Sequence, residues 1–355
     1  MKINSSLTRF ARFAFLCVAV SMVAGCASVT WADYAVIDSR KYVVDTSNIY
    51  WLDNHRVLFQ GLTDQHFVRA DGFDSVYNAL YIWDIENGSI TEHGHIEGSL
   101  CYADGFILYS RWNESAPGTL REWVAGEFGQ QVKVGEGRSY PKGWDSETCR
   151  PRNDSDLPQW TSGKKVKRLR PEHGFLVLGP ENEDRNTPVT YHPKGALQGI
   201  TMPFRRREFN FVNIQYAPFK DAYFIVSHYF KADDRHPLGG YGLSPWPKDI
   251  PQPVWWLYPD GRVEELRLPS EARFGGSRIL GLKPGVFFIS PAYTVNMDGV
   301  FLVLNGEAKR ILKGFIERFA VSPDGCQIAM ELYPDRQGNR YGGSLKVINV
   351  CKRGG

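Results

Sequence analysis

The chain reads as an all-β protein, a single β-propeller with six blades as the best fit and seven as the alternative. Three observations predict it. Six times, two short apolar runs flank a tight turn and a long connection follows. In five of the six units a second hairpin with its own short turn comes next. No long 3.6-residue apolar stripe survives the 35 glycines and 21 prolines. Repetition of a four-strand unit at this spacing marks a radial β architecture.

The elements follow in order. Tyr34 to Asp45 is extended, with Val36-Ile37 and Tyr42-Val43-Val44 as its apolar pairs. Units lie at 46–96, 97–134, 166–202, 210–268, 277–312 and 315–351. Their first turns are Asp53-Asn54-His55, Ala103-Asp104-Gly105, Glu172-His173-Gly174, Phe219-Lys220-Asp221, Lys283-Pro284-Gly285 and Ser322-Pro323-Asp324-Gly325. A buried strand follows each, such as Phe106-Ile107-Leu108-Tyr109 or Tyr223-Phe224-Ile225-Val226. Second turns include Asn87-Gly88 and Asp260-Gly261 between β-rich runs, the strongest short-range hairpin signals. The last unit lacks a fourth strand, and Tyr34 to Asp45 is a spare one. A ring of blades must not leave an open edge, so residues 34–45 are expected to pair with Leu345 to Val350.

At Ala320 to Ala329, an apolar pair, Ser-Pro-Asp-Gly, two variable residues and Ile-Ala follow one another. This resembles the repeats of Tol-type periplasmic propellers and related WD-like repeats. The resemblance implies the fold and carries no catalytic residue, because the motif is a turn: Pro presets φ, Asp bonds the turn backbone and Gly takes φ > 0.

The N-terminus has its own logic. Lys2, Arg9 and Arg12 precede an apolar run from Phe13 to Val23, too short to span a bilayer. It ends in Val23-Ala24-Gly25-Cys26, which resembles the lipobox of bacterial lipoproteins. The resemblance implies a signal peptide over 1–25, lipidation of Cys26 and a lipidated tether over 26–33. Residues 34–355 are then the propeller domain. Ala27 to Ala32 reaches only ~20 Å, which keeps the domain close to the membrane. Ala27 after the cysteine implies the outer membrane, facing the periplasm.

Without residues 1–25 the chain has 42 − 3 = 39 Lys and Arg against 39 Asp and Glu. That balance disfavours a nucleic-acid partner. Cys101, Cys149, Cys326 and Cys351 remain, and an oxidising compartment permits bonds between them. Cys326 opens the second strand of the last unit and Cys351 ends the third. Antiparallel pairing brings them together, which leaves Cys101 with Cys149.

Alternating short and long connections put all the short turns on one face and the long segments on the other. Elaborated loops usually carry function, so the long-loop face is the expected site. Its candidate ligand-binding residues are Arg111, Trp112, Glu114, Trp144, Trp160, Asp233, Asp234, Trp246 and Arg336. Aromatic faces beside Arg forks and carboxylates suit sugars or peptides; the same aromatics also suit packing of loops onto blades. His228, Asp233, Asp234 and His236 match no metal-ligand spacing, and no metal or cofactor is expected. His93 and His95 read as a solvated pair. Two basic runs, Lys164 to Arg170 and Arg205-Arg206-Arg207, fit either a solvated edge or an anionic surface. No nucleophile elbow, P-loop or zincin helix occurs. The chain is therefore expected to be a monomeric envelope-anchored binding or scaffold module for a periplasmic protein, peptide or glycan. The alternative is a propeller hydrolase, lyase or cyclotransferase with carboxylates and arginines converging on the axis.

Overall fold

The computed structural model describes residues 34–44, 48–68, 72–113, 115, 118, 120–145, 148–151, 157, 161, 165–178, 188–205, 209–227, 252–268, 278–290, 299–304, 306–333 and 343–351. Among these, twenty-four strands form six antiparallel sheets of four. Blade 1 is β2 (Tyr50–Trp51), β3 (Arg56–Val68), β4 (Asp74–Asp84) and β5 (Ile90–Ile96). Blade 2 is β6 (Leu100–Ala103), β7 (Phe106–Trp112), β8 (Arg121–Glu127) and β9 (Val132–Glu136). Blade 3 is β10 (Lys165–Arg168), β11 (Gly174–Leu178), β12 (Pro188–Pro193) and β13 (Ile200–Arg205). Blade 4 is β14 (Phe209–Ala217), β15 (Ala222–Ser227), β16 (Gln252–Leu257) and β17 (Val263–Leu268). Blade 5 is β18 (Arg278–Gly281), β19 (Val286–Ser290), β20 (Gly299–Leu304) and β21 (Glu307–Leu312). Blade 6 is β22 (Phe315–Val321), β23 (Gln327–Tyr333) and β24 (Ser344–Asn349), completed by β1 (Val36–Tyr42). The fold is a six-bladed β-propeller, and the six predicted units coincide with its blades.

Ring closure follows the predicted pairing. β1 runs antiparallel to β24, with Val36 opposite Ile348, Ile37 opposite Val347 and Asp38 opposite Lys346. The turn of blade 6 locks onto blade 1. The Asp324 N–H donates to Asn54 Oδ1 at 2.9 Å, and Gln327 Nε2 donates to the Asn54 carbonyl at 2.8 Å. Within the turn, the Gln327 N–H donates to Ser322 Oγ at 2.8 Å and the Cys326 N–H to Asp324 Oδ1 at 3.0 Å. Both expected disulfides are present, Cys326–Cys351 and Cys101–Cys149, with Cα separations of 5.1 and 5.6 Å.

Burial explains the continuous apolar runs. Middle strands are covered on both faces by neighbouring blades, so β23 is buried at every position and does not alternate. Outer strands such as β5 and β9 are mostly exposed and polar. One expectation is revised: the connection between the second and third strands of the first unit, expected among the long segments, is paired over much of its described length. β3 and β4 continue beyond the sheet, with His66 opposite Val76 and Val68 opposite Asp74. A β-hairpin hides its polar backbone better than a loop does, and its residues Thr63 to Val68 and Asp74 to Tyr77 look loop-like only because both faces are half-exposed.

Five seams between blades are filled by hydrophobic clusters shared by the adjoining blades. Examples are Leu58, Leu80 and Ile82 with Ile107 between blades 1 and 2, and Leu176 and Tyr191 with Ile225 and Trp255 between blades 3 and 4. The seam between blades 2 and 3 is built differently. There the connecting segment packs Tyr140, Trp144 and Cys149 against Leu108, Trp123 and Ala125 of blade 2. The Cys101–Cys149 bond staples that segment to the innermost strand of blade 2.

Candidate functional site

The first strand of each blade faces the axis. These strands leave a cavity of about 880 Å³ on the short-turn side of the ring. Blades 1, 2, 3, 4 and 6 all contribute: Asn48 to Tyr50, Ala103 and Asp104, Lys167 to Pro171, Ile214 and Tyr216, and Arg318 and Phe319. Asp145 and Thr148 of the stapled segment complete the wall. Among the described lining residues, Lys167, Arg168, Arg170 and Arg318 are cationic and Asp104 and Asp145 are acidic.

Local structure places these groups. Asp104 has φ of 47° and Gly105 of 77°, and Ala103 pairs with Phe106. Two central residues with positive φ make the type I′ turn that favours Asp-Gly. This turn aims the Asp104 carboxylate across the seam, where Arg170 Nη1 meets Oδ1 at 2.9 Å. Arg170 Nε also donates to Glu172 at 2.5 Å, and its guanidinium lies 4.6 Å from the centre of the Tyr216 ring.

Behind Arg170 a relay runs from buried Tyr223 and His173 out to the exposed Asp221. The Arg170 N–H donates to Tyr223 Oη at 2.8 Å, and Tyr223 Oη lies 2.9 Å from His173 Nδ1. His173 Nε2 faces Asp221 Oδ1 at 3.6 Å, and that oxygen accepts from the Tyr216 hydroxyl at 2.7 Å. The arrangement is self-consistent when Tyr223 donates to Nδ1 and Nε2 carries the proton toward Asp221. Burial pushes the Tyr223 phenol well above its ordinary value. Burial, then the hydrogen bond to Asp221, pushes Tyr216 up to about 12. Both phenols stay protonated at neutral pH and serve as hydrogen-bonding groups.

Two buried carboxylates, Glu122 and Glu331, are each tied to cations. Glu122 on β8 is gripped by Arg111 Nε at 2.7 Å and by Lys133 at 3.5 Å. Glu331 on β23 accepts from the Tyr333 hydroxyl at 2.6 Å and the Gly343 N–H at 2.9 Å, with Arg318 Nε at 3.5 Å. They belong to blades 2 and 6 and do not form a pair.

Of the residues predicted for the long-loop face, Arg111 is the structural partner of Glu122. Trp112 lies 6.4 Å from the Phe67 ring, and Arg121 sits 4.9 Å over it. Phe67 packs on Tyr77 at 4.3 Å and Tyr77 stacks on His95 at 4.4 Å, so an aromatic wall does run along the extended hairpin. His95 is thus part of that wall, while His93 sits 5.5 Å from Phe128. Trp144 packs into the seam against blade 2. Glu114, Trp160, Asp233, Asp234, Trp246 and Arg336 lie outside the described residues, as do His228, His236 and Cys26. Among the described residues no group of three or more His, Cys, Asp or Glu is placed to hold a metal ion. The sequence reading takes the basic run Lys164 to Arg170 as a solvated edge or an anionic surface and does not place it at the axis, although one signal was available: Lys167, Arg168 and Arg170 immediately precede a first turn, which puts them on an innermost strand. Lys167, Arg168 and Arg170 of that run line the axial cavity.

No protein-family model matches the chain, and no curated protein matches it. Among solved structures it is similar to tricorn protease at 10% identity and TM-score 0.37, over 87% of this chain and only 25% of that one. It is similar to TolB from Acinetobacter baumannii at 10% identity and TM-score 0.34, over 84% of this chain and 67% of that one. Oligogalacturonate lyase from Vibrio parahaemolyticus aligns at 11% identity and TM-score 0.38, over 90% of this chain and 95% of that one. The assignment of the propeller rests on the strand pairing described above.

Proposed function

We propose that this chain is a binding propeller of the cell envelope. It is anchored through a lipid on Cys26, lies on the periplasmic side of the outer membrane, and holds an envelope protein, peptide or glycan. The observation that carries the binding reading is the axial cavity itself. Inner strands of five blades converge on about 880 Å³ of space lined by arginines, tyrosines and a few apolar side chains. Such a concave, mixed surface suits recognition. General acid–base chemistry asks for a carboxylate pair or a poised base at the site. Glu122 and Glu331 are instead tied to cations in separate blades, and Asp104 is held by Arg170. The long-loop face, with Trp112 and the Phe67–Tyr77–His95 stack, offers a second contact area on the opposite side.

The catalytic alternative has one observation in its favour, the Tyr223–His173–Asp221 relay at the cavity wall. Photo-crosslinking decides between them. A benzophenone amino acid at Phe319 in the full-length protein, irradiated in intact envelopes, should yield a discrete adduct that mass spectrometry identifies. Absence of any adduct from Phe319, with adducts from the long-loop position Trp112, would overturn the axial site. Turnover of an envelope substrate that His173→Gln abolishes would replace binding with catalysis.

A further inference from the structure

Leu197 is fully exposed, in the turn that joins β12 to β13 of blade 3 on the short-turn side. A scattered surface leucine is ordinary, so its setting has to carry the argument. The turn, Lys194-Gly195-Ala196-Leu197-Gln198-Gly199, holds no carboxylate, and every residue in it is exposed. The matching hairpins of blades 1, 2, 4 and 5 carry Glu86, Glu127, Asp260 and Glu307 at their turns. The blade 3 turn is also held at its base. The Lys194 N–H donates to the His173 carbonyl at 3.1 Å, and the Ala196 N–H to the Pro193 carbonyl at 3.0 Å. Ile200, just past the turn, packs on Gly261 of the next blade, where a Cβ would lie 2.2 Å from the Ile200 Cδ1. Leu197 is thus presented outward by a fixed loop.

We propose that this turn is a second membrane contact: Leu197 enters the bilayer interface, across the ring from the lipid on Cys26. The proposal rests on the anchored reading above and adds what the anchor alone does not supply, a fixed tilt. Blade 6 is completed by β1, whose first residues lie on the short-turn side. Eight residues separate Tyr34 from Cys26. In a ring of six, blade 3 stands opposite blade 6. A tether under blade 6 alone lets the disc swing, and a contact under blade 3 holds its short-turn side against the lipid. One leucine is too weak to bind a bilayer unaided. Tethered through Cys26, its entry becomes intramolecular, at high effective concentration. Lys194 beside it can lay its stem along the interface and reach lipid phosphates, whereas a carboxylate there would oppose entry. Val68 and Phe73 are also strongly exposed, but they sit on the extended hairpin, on the opposite side, and cannot meet the same bilayer.

The test uses the full-length mature protein in vesicles of phosphatidylethanolamine and phosphatidylglycerol in equal parts. An environment-sensitive fluorophore is placed on Leu197→Cys or on Gln130→Cys, an exposed position in the matching turn of blade 2. A blue shift, with several-fold stronger quenching by a shallow bilayer-embedded quencher, is expected at Leu197→Cys alone. With the fluorophore on Gln198→Cys, adding Leu197→Asp should shift the contact roughly tenfold or more toward water, and Leu197→Phe should retain it. Leu197 is fully exposed, so these variants keep their fold, which near-ultraviolet circular dichroism verifies. Equal quenching at Leu197→Cys and Gln130→Cys, or no response to Leu197→Asp, overturns the proposal. A blue shift in native envelopes that the pure lipid vesicles do not reproduce also overturns it, and makes the partner a protein. Mass spectrometry of the N-terminus separates the contact from the anchor. A lipidated Cys26 with an unshifted label at Leu197→Cys drops the contact and leaves the anchored reading; an unmodified Cys26 removes the anchor and the proposal with it.

Discussion

At the scale of single residues, the turns carry the most specific chemistry. Gly325 has φ of 73°, and a Cβ there would lie 2.4 Å from the Phe219 ring of blade 4. Its carbonyl also accepts the Lys283 N–H at 3.0 Å, joining the turns of blades 5 and 6. Gly325→Ala should therefore destabilise the fold by roughly 1–3 kcal/mol, through both backbone strain and overpacking. Chemical denaturation measures it, and a loss within error of zero refutes the role. Asp38 offers a pH test. Burial pushes its carboxyl up, but the hydrogen bonds from Lys346 and the Arg40 N–H and the charges of both residues outweigh it, so the net shift is downward. A value depressed in the folded state stabilises above the unfolded value. That contribution fades as pH drops below about 4 and is gone once pH passes the folded value. The pair is partly exposed, with Asp38 at 42%, so it is worth less than about 1 kcal/mol. Asp38→Asn should lose less stability than the parent between pH 6 and pH 3. An identical acid response in melts across that range counts against the closure ion pair.

At the scale of elements, two devices hold the ring together. β1 covers the edge of β24. A chain lacking residues 34–45 exposes that edge and also loses Val43 from the core shared by blades 6 and 1. It should melt lower and self-associate through the bare strand; a variant that stays monomeric and equally heat-stable by light scattering and calorimetry rules closure out. The Cys101–Cys149 bond spans 48 residues of sequence and holds the segment that fills the seam. Replacing both cysteines by serine should cost on the order of 3–4 kcal/mol. It should also weaken ligand binding, because Asp145 and Thr148 line the axial cavity only while the segment is held there. Removal of Cys326–Cys351, which spans 25 residues at the rim of blade 6, should cost somewhat less and leave binding intact. Equal effects of the two removals on binding would falsify the separate roles.

At the scale of the molecule, β1 sets an orientation. Val36 pairs with Ile348, beside the Cys326–Cys351 bond at the short-turn side. A lipid on Cys26 is only eight residues from Tyr34, ~27 Å of extended chain. The anchor should therefore hold the short-turn side, and the axial cavity, toward the bilayer. Mass spectrometry of the mature N-terminus is expected to find a triacylated Cys26. In proteoliposomes, a bilayer-embedded quencher should dim a fluorophore on Lys194→Cys more than one on Phe73→Cys at the tip of the extended hairpin. An unmodified N-terminus removes the anchor, and equal quenching removes the orientation.

The sequence by itself determined the blades, their order, the closing strand and both disulfides. These depend on local signals: turn residues such as Asp104-Gly105 and Asp260-Gly261, and apolar runs whose continuity reports burial on both faces. The pairing of Cys326 with Cys351 was legible because antiparallel strands within one hairpin fix their own register. The proposed axial site is not legible in the same way. Asn48, Asp104, Arg168, Tyr216 and Arg318 are far apart in sequence and meet only because inner strands of five blades converge on one axis. Loop lengths pointed to the opposite face, where Arg111 is committed to Glu122. The placing of Tyr140, Trp144 and Cys149 against blade 2 carries no local signal either. It follows from packing, since a seam without a shared core must be filled, and only the closed ring decides which seam that is.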